Sequence, residues 1–442
     1  MNMIPEIELQ TSGRIKAFQE EKLKEMLRYV YQHSPFYQKH FAQHRIAPEQ
    51  INQLEDLSGI PTTTKDDLQR NNWDFLCVPK NKIIEYTSTS GTLGKPVTIA
   101  LTEKDLQRLA YNESISFACA DGSPADLYQL MLTLDRQFMA GIAYYEGIHK
   151  LGGGLVRTGP GLPALQWETI ERLEPTTLVA VPSFLIKLID YAHQHKIDLN
   201  RTSVKKAVCI GESFRSPDLQ LNTLGKKITG EWDIHLYGSY ASTEMQTAFT
   251  ECHFGKGGHH HPELIIIEIL DENDRPVSKG EAGELTITTL GVEGMPLLRY
   301  KTGDMLSVFE EPCACGRHTV RLGPVVGRKQ QMIKLKGTTL YPLGVFEILN
   351  EVASVQDYVV EVFTGELGLD ELKLHVLIDP ALEPVVKTAL QGAFQSRLRV
   401  IPEIVFVPLR EMEQMQTAGS NRKLTKFIDR RLPGTQNILS IK

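Results

Sequence analysis

The chain has 442 residues, of which 41% are hydrophobic and 23% charged, with a formal net charge of −6. This length is typical of two or three domains, and the acidic balance without a basic stripe argues against a nucleic-acid-binding protein. The chain has no apolar run as long as a membrane span, so we expect a cytoplasmic protein that does not act at a membrane. Its six cysteines are too few for a disulfide framework, and burial or metal binding is the better interpretation of each.

The predicted elements change character along the chain. Residues 14–45 have apolar positions at helical spacing, interrupted at Pro35, and predict two helices joined at the sequence SPFY. Later apolar runs alternate with helical segments, which is typical of a mostly parallel α/β sheet. From residue 265 the pattern favours a small antiparallel sheet or barrel, and the C-terminal part reads as strands around a helix at 383–397.

The predicted fold is therefore α/β with two domains. Residues 1–327 form a large N-terminal domain of mixed or parallel sheets, helices and a small barrel-like part. Residues 328–442 form a small α+β C-terminal domain, which begins in the sequence GRKQQMIKLKG.

The first motif is YTSTSGTLGKP, residues 86–96, which combines hydroxyl side chains and glycines with one lysine. Such a backbone can close around an oxygen-rich ligand, so the stretch predicts either a polyphosphate-binding loop or a solvated turn. Its spacing is not that of a Walker A motif. The candidate phosphate ligands are Ser88, Thr89, Ser90, Gly91, Thr92, Gly94 and Lys95.

Three further motifs follow the loop, and two of them, CIGESF and RYKTGDM, lie where predicted strands end, the position at which open α/β sheets bind ligands. Each also has an ordinary interpretation as a polar turn. In YASTE, Glu244 is a candidate Mg²⁺ ligand beside the Thr243 hydroxyl. The other two motifs are CIGESF, with Gly211, Glu212 and Ser213, and RYKTGDM, with Asp304.

In this order and spacing the motifs resemble those of adenylate-forming acyl-CoA synthetases, in particular the phenylacetate-CoA ligase group. The resemblance covers about residues 20–431. The segments that carry it are HSPFYQKHF, LEDLSGIPTTTKDDL, TSGTLGKP, YASTE, RYKTGDM, CACGR followed by GPVVGR, and GRKQQMIKLKGTTLYP.

The resemblance implies a two-step reaction. A carboxylate first attacks the α-phosphate of ATP to give an acyl-adenylate and pyrophosphate, and a thiol then displaces AMP. The loop and Mg²⁺ on Glu244 would neutralise the pyrophosphate, Thr243 would contact the α-phosphate, and a mobile C-terminal domain would rotate between the steps. The other implied roles are Gly211, Glu212, Ser213 and Tyr240 at the adenine, Asp304 at the ribose, Arg328 at the start of the mobile domain, and Lys423 between the substrate carboxylate and the phosphate.

The chain departs from the family pattern at several positions. Ala241 and Leu93 stand where glycine and threonine are usual, which leaves the charged groups intact. Gln330 occupies the hinge position, which puts the hinge mechanics in doubt. Arg422 replaces the glycine before Lys423, so Lys426 is the alternative for the mobile-domain lysine.

A structural zinc site is predicted from Cys313-Ala314-Cys315 and the upstream sequence ECHFGKGGHHHPE. Two thiolates at C-x-C spacing, with Cys252 and a histidine, give the Cys₃His set typical of structural zinc. His259 is the first choice for the nitrogen ligand and His261 the alternative, while buried packing of the cysteines is the competing interpretation.

The acid pocket is predicted near FMAGIAYYEG, from Phe138, Gly141, Tyr144 and Tyr145, whose aromatic rings favour an aryl or arylacetic acid over a medium-chain aliphatic acid. The acceptor is coenzyme A or the phosphopantetheine arm of an acyl carrier protein. An amide- or ester-forming enzyme and a non-catalytic nucleotide-binding homologue are the competing functions, and the sequence leaves a homodimer open.

Overall fold

A computed structural model describes residues 4–89, 97–335, 338–365, 369–417, 425–431 and the backbone of 437–440. It divides into two compact units. The first takes in the described residues up to Thr302 and Leu306–Pro324. The second takes in Gly303–Met305 and the described residues from Val325 onwards.

The first unit opens with the two predicted helices. The first of them buries Ile15, Leu23 and Val30 along one face, and Ser34 ends it. The Ser34 hydroxyl accepts a hydrogen bond from the Tyr37 amide and Pro35 fills the first helical position, so the SPFY sequence stops one helix and starts the next. The helices of this unit are α1 (Ser12–His33), α2 (Pro35–His44), α3 (Lys65–Arg70), α4 (Glu103–Cys119), α5 (Met139–Leu151), α6 (Pro163–Leu173), α7 (Pro182–His195) and α8 (Thr223–Glu231).

The largest sheet has six strands, and it carries helices on both faces. The strands up to residue 250 are β1 (Ile83–Ser88), β2 (Thr98–Thr102), β3 (Leu127–Leu130), β4 (Gly154–Arg157), β5 (Thr177–Ala180), β6 (Lys206–Ile210), β7 (His235–Ser242) and β8 (Thr247–Thr250). Of these, β1 and β2 form a separate two-stranded sheet. The other six form the large sheet in the order β4-β3-β5-β6-β7-β8, in which all neighbouring pairs are parallel except the antiparallel β7–β8 pair. Val179 faces the core with α4 and α5, whereas Leu178 faces the core with α6, α7 and α8.

Antiparallel strands follow, as the turn-rich sequence predicted. They are β9 (Gly258–His259), β10 (Ile265–Leu270), β11 (Gly283–Thr289), β12 (Tyr300–Leu306), β13 (Val308–Phe309), β14 (Arg321–Leu322) and β15 (Gly327–Arg328). They form a four-stranded sheet in the order β10-β11-β12-β15 and a three-stranded sheet in the order β13-β14-β9.

The second unit packs helices on both faces of a five-stranded sheet in the order β20-β19-β18-β21-β22. Val360 and Val362 face the core with α9 and α10, and Val359 and Ile428 face α11. The elements are β16 (Ile333–Leu335), β17 (Thr338–Leu340), α9 (Pro342–Glu351), β18 (Asp357–Thr364), β19 (Asp370–Leu377), α10 (Glu383–Leu398), β20 (Glu403–Phe406), α11 (Leu409–Thr417), β21 (Thr425–Asp429) and β22 (Asn437–Ser440). Of the helices in the described part of the chain, none has the length and apolar character that crossing a membrane requires.

Candidate functional site

Two of the predicted motifs meet at one edge of the six-stranded sheet. β6 and β7 are parallel and their last paired residues are Ile210 and Ser239, so Gly211–Ser213 and Tyr240–Glu244 continue from neighbouring strands. We call these two segments the strand-edge site. Gly211 has φ +73°, a left-handed conformation that turns the chain sharply away from the strand.

Side chains from other elements hold the first of these segments. The Glu212 carboxylate accepts hydrogen bonds from the Ser183 amide at 3.0 Å and hydroxyl at 2.9 Å, which ties the segment to the start of α7. The Ser213 hydroxyl donates to the Arg215 carbonyl at 2.8 Å. Ser213 is thereby bonded to Arg215, which in turn forms an ion pair with Glu251.

Arg215 and Glu251 form a support that sequence reasoning missed. Arg215 Nε lies 2.8 and 3.0 Å from the two Glu251 carboxylate oxygens, and the Gly238 amide donates to the same carboxylate at 3.1 Å. Burial raises the pKa of Glu251, against the lowering effect of Arg215. No local sequence signal pairs the two residues, because they are 36 positions apart in the chain.

The other segment places Thr243 and Glu244 in the turn between β7 and β8, where both are partly exposed. The Ser242 hydroxyl accepts from the Met245 amide at 3.3 Å and so helps to close the turn. Tyr240 is partly exposed at the end of β7, where its ring centroid lies 6.2 Å from that of Phe249. A hydroxyl, a carboxylate and an aromatic face are therefore gathered at the sheet edge.

Of the phosphate-loop motif, residues 86–96, the structure describes residues 86–89, which include the candidates Ser88 and Thr89. Thr89 exchanges hydrogen bonds with Val97, from its amide to the Val97 carbonyl at 3.0 Å and from the Val97 amide to its hydroxyl at 3.1 Å. The Ser88 amide donates to the Gln137 carbonyl at 2.9 Å, beside the start of α5. The other loop candidates, Ser90, Gly91, Thr92, Gly94 and Lys95, lie outside the described residues.

The predicted pocket residues lie at the start of α5 but differ in exposure. Phe138 is 37% exposed, whereas Tyr144 is 3% exposed and packs edge-on against Phe117 in the core. Tyr145 is half-buried, with the Arg157 guanidinium 5.7 Å from its ring centroid. A Cβ on Gly141 would lie 2.5 Å from the Thr133 carbonyl, so only glycine allows this close approach.

In the second unit, Asp304 and Arg328 are paired. They face each other across the antiparallel strands β12 and β15, and Arg328 Nε lies 3.2 Å from Asp304 Oδ1. The alternative lysine, Lys426, has its Nζ 3.5 Å from Asp357 Oδ1 and 4.3 Å from the Tyr358 ring centroid. Lys423 lies outside the described residues.

The four predicted metal ligands come together in the first unit, far apart in sequence but close in space. We call Cys252, His259, Cys313 and Cys315 the cysteine–histidine cluster, since their ligand atoms all lie within 4.8 Å of one another. His259 Nε2 is 3.4 Å from Cys252 Sγ and 3.5 Å from Cys315 Sγ, and the sulfurs of Cys252 and Cys313 are 3.6 Å apart. For tetrahedral zinc, bond lengths of about 2.3 Å to sulfur and 2.0 Å to nitrogen give ligand separations of about 3.8 Å for sulfur pairs and 3.5 Å for sulfur–nitrogen pairs. The donor set therefore fits a tetrahedral ion.

Two of the four ligands, Cys315 and His259, have pKa shifts that favour the protonation state in which they bind a metal. Hydrogen bonds from Cys252, His259 and Arg317 lower the pKa of Cys315 and outweigh its desolvation, which favours the thiolate. Burial lowers the pKa of His259, which favours the neutral imidazole that binds metals.

The three consecutive histidines have different partners. His259 joins the cluster, His260 bonds through Nε2 to the Ile265 carbonyl at 2.6 Å, and His261 Nδ1 lies 2.5 Å from a Glu8 carboxylate oxygen. The sequence left His259 and His261 as alternatives, because they share a face in an extended chain. The short strand β9 ends at His259, so the strand alternation does not continue to His261.

Comparisons with known proteins agree on the family and the fold. Residues 38–294 match the family model described as AMP-binding enzyme. The chain is similar to the phenylacetate-coenzyme A ligase of Thermus thermophilus, with 30% identity over 378 residues, 84% of this chain and 83% of that protein. It is also similar to the Aromatoleum evansii phenylacetate-coenzyme A ligase, with 28% identity over 406 residues and 89% of each chain covered.

A solved structure of 2-hydroxyisobutyryl-CoA ligase, in the postadenylation state with R3-HIB-AMP, superposes with a TM-score of 0.83 at 22% identity. The match covers 97% of this chain and 92% of that one. The predicted α/β fold with a C-terminal domain is confirmed by this likeness.

Proposed function

This chain belongs to the AMP-binding enzyme family and to its phenylacetate-coenzyme A ligase-like group, and from that premise we propose that it converts a carboxylic acid to its coenzyme A thioester. In the first step a carboxylate oxygen attacks the α-phosphorus of ATP, and the bond to the leaving pyrophosphate breaks. In the second step the coenzyme A sulfur attacks the acyl carbon, and AMP leaves. The observation that carries this proposal is the 30% identity that extends over 83% of a phenylacetate-coenzyme A ligase.

The strand-edge site supplies groups suited to the first step. Gly211, Glu212, Ser213 and Tyr240 are proposed to frame the adenine, and the Thr243 hydroxyl to contact the α-phosphate. Glu244 is proposed to hold Mg²⁺, which would neutralise charge on the pyrophosphate when bound. The partial exposure of Thr243 and Glu244 supports these roles, since a ligand can reach both.

Further roles rest on the family resemblance. Ser88, Thr89, Ser90, Gly91, Thr92, Gly94 and Lys95 are proposed as the phosphate loop, Asp304 as the ribose acceptor, Arg328 as the start of the C-terminal domain and Lys423 as the cation of the adenylation step. The structural support for Asp304 is its position opposite Arg328, whose Nε lies 3.2 Å from Asp304 Oδ1.

For the acid we propose an aryl or arylacetic compound. Phe138 directly precedes α5 and Tyr145 lies in the middle of that helix, and both support this choice because part of each ring's surface is accessible. Tyr144 is a weaker candidate for direct contact, because it is 3% exposed in this structure.

We also propose that the cysteine–histidine cluster binds one structural zinc ion. A full set of four protein ligands leaves no open position for water, so the ion would clamp the loops around Cys252 and Cys313 and take no part in the reaction.

The proposed activity is tested by pyrophosphate release from the purified protein with ATP, Mg²⁺ and a panel of aryl, arylacetic and fatty acids, with and without coenzyme A. Acid-dependent release that becomes multiple-turnover with coenzyme A is expected. Release that stops after one turnover would instead favour a carrier protein or a non-thiol acceptor, and no release with any acid would favour a non-catalytic homologue. A homodimer and a cytoplasmic location remain predictions.

A further inference from the structure

A fully buried carboxylate lies next to the cysteine–histidine cluster and comes from the other end of the chain. Glu8 is in a short 3₁₀ helix, Glu6–Leu9, and is 0% exposed. Its Oε2 accepts from Arg317 Nε at 2.7 Å, and its Oε1 lies 2.5 Å from His261 Nδ1. Burial raises the pKa of Glu8, but His261 and Arg317 together lower it by a larger amount, so the ionised carboxylate is the favoured form. A charge buried this completely needs a specific use or specific compensation.

Arg317 connects this carboxylate to the cluster. Its Nη1 lies 3.4 Å from Cys315 Sγ, and its backbone carbonyl accepts from the Cys313 amide at 3.0 Å. The Arg317 guanidinium donates a hydrogen bond to the sulfur of Cys315, and such a charge-assisted contact stabilises and orients a metal-binding thiolate. Glu8 in turn fixes the direction in which Arg317 points, through a charge-assisted hydrogen bond.

A backbone hydrogen bond also joins the N-terminal segment to the loop that follows Cys315. The His318 amide donates to the Glu8 carbonyl at 2.8 Å, directly after the cluster turn in which the Gly316 amide donates to the Cys313 carbonyl at 3.0 Å. In α1, the buried side chain of Gln19 donates through Nε2 to the carbonyls of Pro262 and Ile265, at 3.1 and 2.9 Å. The N-terminal segment thus contacts both loops that supply the ligands.

We propose that Glu8 is a positioning residue of the metal site and that residues 5–10 form its outer layer, coupled to metal binding through Arg317. The inference rests on the metal site proposed above. Groups that hydrogen-bond to the metal-binding side chains orient those side chains, and loss of such a group typically lowers metal affinity about 10–100-fold. We therefore expect Glu8→Gln to weaken Zn²⁺ binding at least about tenfold.

The matched control is Glu268→Gln. Glu268 also forms a two-oxygen ion pair with a buried arginine, Arg299, at 2.8 to 3.2 Å, and it is not a member of the cluster. This variant loses a comparable buried pair, so we expect it to lower the stability of the first unit and leave Zn²⁺ affinity unchanged.

The experiment is a competition for Zn²⁺ between the full-length protein and a chromophoric chelator. Weaker binding by Glu8→Gln, with Glu268→Gln unchanged, supports the proposal. Equal affinity of Glu8→Gln and the parent overturns it and leaves the metal site standing. Absence of Zn²⁺ binding by the parent overturns the metal site and this inference together, so the two failures are distinguishable.

A second measurement covers the case in which Glu8→Gln does not fold. Hydrogen exchange of the Glu8 and His318 amides in the parent protein should become at least about tenfold faster when the metal is removed, since their contacts depend on the cluster. Arg317→Lys keeps the charge but loses the planar contact to both Glu8 and Cys315, and it should also weaken Zn²⁺ binding about tenfold. Unchanged exchange, or unchanged affinity in Arg317→Lys, would contradict the coupling.

Discussion

The strand-edge site and the cysteine–histidine cluster are built in opposite ways, although both lie in the first unit. The strand-edge site is formed by turns that follow parallel strands, and Thr243 and Glu244 are partly exposed. The cluster is closed, with three buried ligands, and a buried ion pair supports it from outside. The difference teaches that exposed polar groups at strand ends suit a ligand that enters and leaves, whereas a closed ligand set suits an ion that stays.

The largest expected effect is on the adenylation step. Lys423→Ala should slow acyl-adenylate formation by at least about a thousandfold, because the cation would stabilise charge that develops in the transition state. Thioester formation from a preformed adenylate should be largely spared. Both steps are measured separately, by pyrophosphate release and by thioester yield.

Lys426→Ala is the matched control for Lys423→Ala. Lys426, on β21, is already paired with Asp357 on β18, so its loss should leave both steps nearly unchanged. If Lys426→Ala loses adenylation and Lys423→Ala does not, the mobile-domain lysine is Lys426. Equal loss of both steps in Lys423→Ala would contradict its proposed role.

The next largest effect is expected for the cysteine–histidine cluster. Cys313→Ser removes one ligand, so the protein should lose its metal and, with it, the stabilisation that binding supplies. That stabilisation is about 4 kcal/mol in the free energy of unfolding when free zinc is a thousand times Kd. Cys77→Ala is the control, because Cys77 is a buried thiol outside the cluster. A metal content and unfolding free energy equal to those of the parent would contradict the metal site.

The two sites are alike in how far they were predictable from sequence. The four cluster ligands and the strand-end motifs were found because each is a short local pattern of residue types with a defined chemistry. The helix boundary at Ser34 was predictable for the same reason, since capping uses neighbours in sequence.

The supports of both sites were not predictable, since each pairs residues that are distant in sequence. Glu8 bonds to Arg317, and Arg215 to Glu251. The contacts of Arg108, in α4, were equally unpredictable. Its guanidinium donates to the carbonyls of Leu264 and Leu290, which are distant in sequence, and no local sequence pattern indicates these partners. Nothing in the composition of one segment specifies its distant partner, so long-range polar pairing is visible only in the fold.

A smaller effect tests whether the strand-edge site depends on its buried support. Glu251→Gln leaves Arg215 without its carboxylate, and breaking a buried ion pair typically costs about 3 kcal/mol. We expect a lower unfolding free energy and a higher KM for ATP, because the pair holds the segment around Ser213. Denaturant unfolding and ATP titration measure the two effects. A loss of stability with unchanged KM would show that the pair is structural only.

The smallest effect concerns a buried acid that belongs to neither site. Glu113 in α4 is 4% exposed, and burial raises its pKa to about 8, with a hydrogen bond from Asn112 as the opposing influence. Among the described residues, no cation forms an ion pair with Glu113 as Arg317 does with Glu8 and Arg215 does with Glu251. Between the unfolded pKa near 4.5 and the folded value, the folded chain keeps a proton that the unfolded chain has lost. Stability should therefore fall as pH rises through this window.

Glu113→Gln should remove this slope, because an amide does not titrate. Between pH 6.5 and 7.5 the parent should lose up to about 1.4 kcal/mol of unfolding free energy relative to the variant. Denaturant unfolding at the two pH values measures the difference, and Glu268→Gln, whose carboxylate is paired with Arg299, is the control in which the slope should persist. If Glu113→Gln keeps the slope of the parent, Glu113 has a compensating partner after all, and burial of charge in this chain would be tolerated only where a cation accompanies it.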